Sequence, residues 1–158
     1  SQTQRDRDGE DKAVALLEKR ADEKPNAAPW VALQGFFANK EETRDRAVGF
    51  AERAVAANDN DPIALLCLSA LYGQAGKLDK IVELLGKHEA KMANSVHLAN
   101  NYFEALFQLG QLDKVTRLLN ALAGSTNKEV KQFAIQRSQL VAQFLQQQQQ
   151  RLASAAKA

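Results

Sequence analysis

The chain has 158 residues, 45% of them apolar, and its 21 Lys and Arg against 19 Asp and Glu leave a formal charge of +2. That length suits one domain with a continuous core, and interspersed charge without dense Lys/Arg patches argues against phosphate-backbone binding, despite a sequence pI near 8.7. No apolar run approaches the ~20 residues of a membrane span, and no signal peptide is visible.

The few β-branched residues never alternate over a strand-like run, so the expected class is all-α. Residues 1–8 are charged and expected to lack order. A first helix is predicted over Asp11–Ala21, where Ala13, Leu16, Leu17 and Ala21 form a stripe that needs a neighbour. The turn at Pro25-Asn26 leads into a helix over Ala28–Ala38. Glu41–Ala57 places Ala47, Phe50, Ala51, Ala54 and Val55 on one side and Glu42, Arg46, Glu52 and Arg53 on the other. The run from Asn58 to Pro62 is dense in turn formers, with Asp61 as N-cap and Pro62 at the first helical position.

Pro62–Gln74 is apolar nearly all round, which predicts a helix buried on every side at the centre of the fold. Helices follow over Leu78–Met92, Ser95–Leu109 and Leu112–Ala123, the last closing at Gly124-Ser125 with glycine in the left-handed cap. From about Asn127 to Ala158 there is no glycine or proline. Phe133, Arg137, Leu140, Val141, Phe144 and Leu145 give the first half of this segment a stripe that covers the core. Five glutamines, Gln146 to Gln150, begin a second half, 146–158, expected to project or fray as nothing obliges it to pack.

One short pattern occurs twice. Ala75-Gly76-Lys77-Leu78-Asp79-Lys80 and Leu109-Gly110-Gln111-Leu112-Asp113-Lys114 set two glycines 34 residues apart. A fixed period in that range marks a solenoid of helical hairpins, each needing a stacked neighbour to bury its apolar face. The register puts unit starts near Ala28, Pro62, Val96 and Val130. The first unit carries Trp30, Leu33, Gly35 and Phe37, then Ala47, Phe50 and Ala54. Leu65, Leu68, Tyr72, Ile81 and Leu85 take those places in the next unit, and Ala99, Tyr102, Leu106, Val115 and Leu119 in the third.

Over roughly residues 9–145 this resembles the tetratricopeptide (TPR) repeat, in degenerate form. Spacing between Leu33 and Ala47 is one residue looser than the family pattern. Ile81 and Val115 stand where it wants alanine, and Phe103 where it wants a small residue, which pushes paired helices apart. Residues 61–119 also resemble TPR subunits of large eukaryotic complexes. The resemblance implies an α-α superhelix whose first helices line a groove. The groove places fall on Phe36, Leu66, Ala70 and Gln74, and on His97, Asn100, Glu104 and Gln108, flanked by Ala32, Ile63, Ala134 and Ser138. Core packing against an adjacent helix is the competing reading for Phe36 and Leu66. The chain lacks the lysine and asparagine clamp with which chaperone-binding TPR domains hold a peptide carboxylate. A groove apolar at one end and amide-rich at the other suits an amphipathic helix.

Nothing in the sequence points to catalysis. Cys67 is the only cysteine, so neither an intrachain disulfide nor a cysteine-pair metal site is available. Set among Leu65, Leu66 and Leu68, it reads as a small core residue. His88 and His97 fall on different predicted helices without metal-ligand spacing. The carboxylate pairs Glu41-Glu42 and Asp59 with Asp61 sit at helix starts and turns, where capping explains them. The expectation is a non-catalytic cytoplasmic adaptor without cofactor or metal, binding a protein segment or neighbouring subunit within a larger complex. The alternative is an RNA-reading helical repeat of pentatricopeptide type.

Overall fold

Phe37 to Ala47 spans ten positions, against nine from Tyr72 to Ile81 and nine from Leu106 to Val115, and all six residues are buried. These pairs bracket the turns of three helical hairpins in a computed structural model that describes residues 2–23 and 26–157. Among the described residues there is no strand, so the chain is all-α. It forms two compact units, Ser1–Gly86 and Lys87–Ala158.

The first unit holds α1 (Gln2–Glu23), α2 (Ala27–Ala38), α3 (Arg44–Ala57), α4 (Pro62–Gln74) and α5 (Leu78–Gly86). The Asn26 side chain caps α2 by accepting from the Ala28 N–H at 3.0 Å. The expected turn at Pro25 lies outside the described residues. Asp61 caps α4 by accepting from the Ile63 N–H at 2.9 Å, with Pro62 in the first helical turn as its missing N–H allows. Ala47, Ala51 and Ala54 of α3 are fully buried, and this alanine seam lets α2 and α3 make the most extensive helix pairing in the unit. Trp30, Phe37 and Phe50 stack across it, with ring centroids 5.7–6.1 Å apart. The guanidiniums of Arg46 and Arg53 lie over these rings.

The extra residue of the first hairpin is taken up by a 3-10 turn over Glu41–Thr43. There the Thr43 hydroxyl donates to the Phe37 carbonyl at 2.7 Å and closes the end of α2.

The second unit holds α6 (Glu89–Met92), α7 (Val96–Gln108), α8 (Leu112–Ala123) and α9 (Lys128–Lys157). Phe103 sits at its centre, fully buried, stacked on Phe107 and edge-on to Phe133 of α9. Phe107 in turn meets Phe144 at 5.1 Å. The Ser125 hydroxyl donates to the Ala93 carbonyl at 2.7 Å and accepts from the Asn127 N–H, while the Asn127 side chain caps α9 at Val130.

Several expectations are corrected. The charged segment expected to lack order is helical from Gln2 onward, its polar side chains pairing at i, i+4 (Gln2 with Asp6, Gln4 with Asp8). The helix expected over Leu78–Met92 breaks at Lys87-His88, just after Gly86, whose missing side chain makes it a weak helix former. Gly124 is not left-handed: its φ is −89°, because α8 ends in tight bonds from Gly124 N–H to Ala121 O and from Ser125 N–H to Leu122 O. Of the two outcomes expected for the segment from Gln146, fraying is not seen: 146–157 continues α9 without interruption and is exposed throughout. Finally, α4 is not buried on every side, and its open side bears on function.

Candidate functional site

Helices α2 and α4 contain no Asp, Glu, Lys, Arg or His over 12 and 13 residues. They are neighbours in the first unit, touching where the Gln34 amide meets the Cys67 sulfur at 3.5 Å. Their inner sides are buried through Trp30, Leu33 and Phe37 of α2 and through Ala64, Leu65, Leu68 and Tyr72 of α4. Their outer sides face solvent. A solvated helix face ordinarily carries charge, yet here Phe36 is 52% exposed and Ile63 is 61% exposed. Ala32 and Gly35 are exposed with Phe36 on α2, Ala70 and Gln74 are exposed with Ile63 on α4, and Leu66 is half-buried. Single exposed apolar residues need no explanation; here several stand exposed on helices that carry no charge.

Of the residues expected to line a groove, Phe36, Leu66, Ala70 and Gln74 therefore lie on outward sides of two adjoining helices. Phe36 is not core, so the packing reading fails for it. For Leu66 that reading holds in part. Cys67 is half-buried, and its thiol is pushed up by burial and then by the negative charge of Asp61. Such a thiol is a poor nucleophile at neutral pH, since the thiolate is the reactive form.

The second unit treats the corresponding places differently. His97 and Gln108 are exposed on α7, with Asn100 and Glu104 partly so. Asn100 is already engaged: its side-chain oxygen accepts from the Arg137 guanidinium of α9 at 3.3 Å. That guanidinium also lies over the rings of Phe103 and Phe133, 5.7 and 5.0 Å from their centroids. Ala134, expected to face the groove, is fully buried, because this stretch of α9 is the cover of α7 and α8. Ser138 is exposed and donates to its own helix at Ala134 O. The α7 places are thus partly occupied from within the unit.

No family model, curated protein or solved structure matches this chain. What the site can do therefore rests on its own chemistry. Among the described residues, no group of three or more His, Cys, Asp and Glu is placed to hold a metal ion, and no helix is long and apolar enough to cross a membrane. The uncharged α2/α4 face offers apolar area and small residues, which suit the side of another helix.

The residue that sequence reasoning missed is Arg137. The sequence places it on a stripe of α9, but its stacking on Phe103 depends on a partner more than thirty positions away. The absence of charge from α2 and α4 is countable in the sequence, but it predicts burial on every side and does not mark which side stays open.

Proposed function

We propose that this chain is a non-catalytic protein-interaction module of the cytoplasm, an adaptor that takes a helical segment of a partner or neighbouring subunit on the outer face of α2 and α4. The observation that carries the reading is the combination of two adjoining charge-free helices with Phe36 and Ile63 more than half exposed. Burying such side chains against a partner removes apolar area from water at about 25 cal/mol per Å². Aromatic and large aliphatic residues at the centre of a contact commonly dominate its energy.

The repeat part of the proposal is a TPR-like stacking of hairpins. It is supported by the two joints at Gly76 and Gly110, whose backbone bonds recur at the same 34-residue offset. An RNA-reading repeat needs cationic or amide side chains along its first helices. On α2 and α4 the only amides are Gln34 and Gln74.

The test is affinity purification of the tagged full chain beside the double variant Phe36→Asp, Ile63→Asp and the control Lys128→Glu. Wild type and control are expected to retain a common set of chains that the double variant loses with its helical circular dichroism unchanged. Retention of the same set by the double variant, or of none by wild type, rejects the reading.

A further inference from the structure

Helix α9 carries a second stripe beside the one that covers α7 and α8. The covering stripe is Val130, Phe133, Ala134 and Val141, all buried. The other runs through Ile135, Ser138, Ala142, Leu145, Gln149 and Leu152, in alternating steps of three and four, and every one of these residues is exposed. Ile135 is 47% exposed, Leu145 39% and Leu152 73%. A three-four alternation keeps side chains in one line along a helix and is the pattern by which two helices pair. At 1.5 Å per residue this seam is about 26 Å long.

The chemistry of the seam narrows what covers it. None of its residues is charged, and Gln139, Gln146 and Gln148 border it. The cations within its span, Arg137 and Arg151, lie roughly 110–150° around the helix from it, at about 100° per residue. Nothing on the seam selects a charged partner, and nothing on it repels a second copy of itself. Set against itself in antiparallel sense, it matches layer by layer: Ile135 meets Leu152 of the second copy, Ser138 meets Gln149, and Ala142 meets Leu145. Apolar faces apolar, polar faces polar, and small faces large. The Ser138 hydroxyl donates to Ala134 O at 2.7 Å and keeps lone pairs to accept from the Gln149 amide.

Other pairings of the seam fit less well. Sliding the second copy by one heptad either way shortens the match from six layers to four, and in one direction sets Gln149 against Leu145, burying an amide without a partner. Parallel pairing sets Ala142 against Ala142, leaving a gap beside the Leu145 layer, and aligns the two helix dipoles.

We propose that α9 pairs antiparallel with α9 of a second copy through this seam. The contact is isologous, so it closes at a dimer. Six layers lie at the small end of specific interfaces, which need about 1,000 Å², so the dimer is weak, with a Kd on the order of 10–100 μM. The α2/α4 face takes no part in it.

Sedimentation velocity of the full chain under reducing conditions, from low micromolar to near-millimolar protein, tests it. Wild type is expected to pass from monomer to dimer and stop there, with little dependence on salt because the seam is uncharged. Leu145→Asp and Leu152→Asp should stay monomeric. Leu140→Asp should dimerise like wild type, since Leu140 is as exposed, at 46%, but lies roughly 170° around the helix from the seam. Ile135→Asp and Leu152→Lys should each be monomeric alone and form a heterodimer when mixed. In the mixture the new carboxylate of one copy meets the new ammonium of the other, and the opposite end keeps its Ile135 and Leu152 layer. All these positions are exposed, and unchanged helical circular dichroism checks that each variant folds. Wild type that stays monomeric overturns the inference, as does a dimer that survives both Leu145→Asp and Leu152→Asp, or a mixture that does not recover. The double variant Phe36→Asp, Ile63→Asp should dimerise as wild type does, and loss of its dimer would move the contact to the α2/α4 face. If wild type stays monomeric while that double variant still loses its co-purifying chains, the inference falls and the α2/α4 reading stands.

Discussion

Gly76 and Gly110, 34 positions apart, hold the same left-handed backbone, with φ +71° and +72°. Each closes its helix with the same pair of bonds: Lys77 N–H to Tyr72 O and Gly76 N–H to Gly73 O in one, Gln111 N–H to Leu106 O and Gly110 N–H to Phe107 O in the other. This is the Schellman arrangement, in which a residue without Cβ lets the chain reverse while the last carbonyls stay bonded.

A Cβ at Gly110 meets nothing within 4 Å, so Gly110→Ala is strained only through its backbone. The expected loss is about 1–2 kcal/mol. Gly49→Ala, inside α3 with open space around it, should instead gain about 0.5–1 kcal/mol by favouring helix. Urea denaturation of the three proteins reads the opposite signs, and equal losses at both positions would remove the left-handed requirement.

Two phenylalanines separate core from surface. Phe103 is fully buried between Phe107, Phe133 and the Arg137 guanidinium, whereas Phe36 is half exposed. Phe103→Ala should cost about 3–5 kcal/mol, and Phe36→Ala should stay within about 0.5 kcal/mol of wild type. Thermal unfolding checks both. A large loss at Phe36 would return it to the core and remove the central residue of the proposed face.

The Tyr102 hydroxyl donates to the Glu89 carboxylate at 2.9 Å, and its pKa is pushed up to about 12, first by burial and then by Glu89. The unfolded chain releases this proton near pH 10 and the folded chain near 12. Stability from this group is thus complete below pH 10 and is lost as pH rises from 10 through 12. Tyr102→Phe should be less stable by about 1–3 kcal/mol at pH 7, through the lost bond to a charged partner. Its deficit should narrow between pH 10 and 12. A deficit that stays constant to pH 12 would show that the hydroxyl's proton is not held by the fold.

Much of the architecture is legible in single residues. Asp61-Pro62 and Gly76 bracket α4 because cap, fixed φ and left-handed reversal each demand a particular residue, and α4 spans Pro62–Gln74 as the sequence indicates. The two repeated joints are legible for the same reason. The break at Lys87-His88 is harder, because Gly86 is tolerated inside helices as well as at their ends. Which side of α2 or α4 stays uncovered is set by packing between helices, and apolar residues all round do not encode it. Ile81, Val115 and Phe103 are bulky where close hairpins want small residues. All three are buried nonetheless, and the pairings of α4 with α5 and α7 with α8 are less extensive than that of α2 with α3.

The first hairpin lacks a glycine at its joint and solves the closure with a side chain. Thr43 Oγ1 donates to the Phe37 carbonyl in the last turn of α2 at 2.7 Å, while the Lys40 carbonyl, 3.3 Å from the same oxygen, accepts the Thr43 backbone N–H at 3.2 Å. Thr43→Val keeps the shape and removes the donor, leaving the Phe37 carbonyl without that bond in a half-buried turn. The expected cost is about 1–2 kcal/mol, and Thr43→Ser should recover most of it because the donor returns. Hydrogen exchange across α2 locates the effect: faster exchange in its last turn with unchanged protection in α4 is the expected pattern. If Thr43→Val unfolds at the wild-type urea midpoint, the extra residue and its 3-10 turn close the hairpin without the hydroxyl.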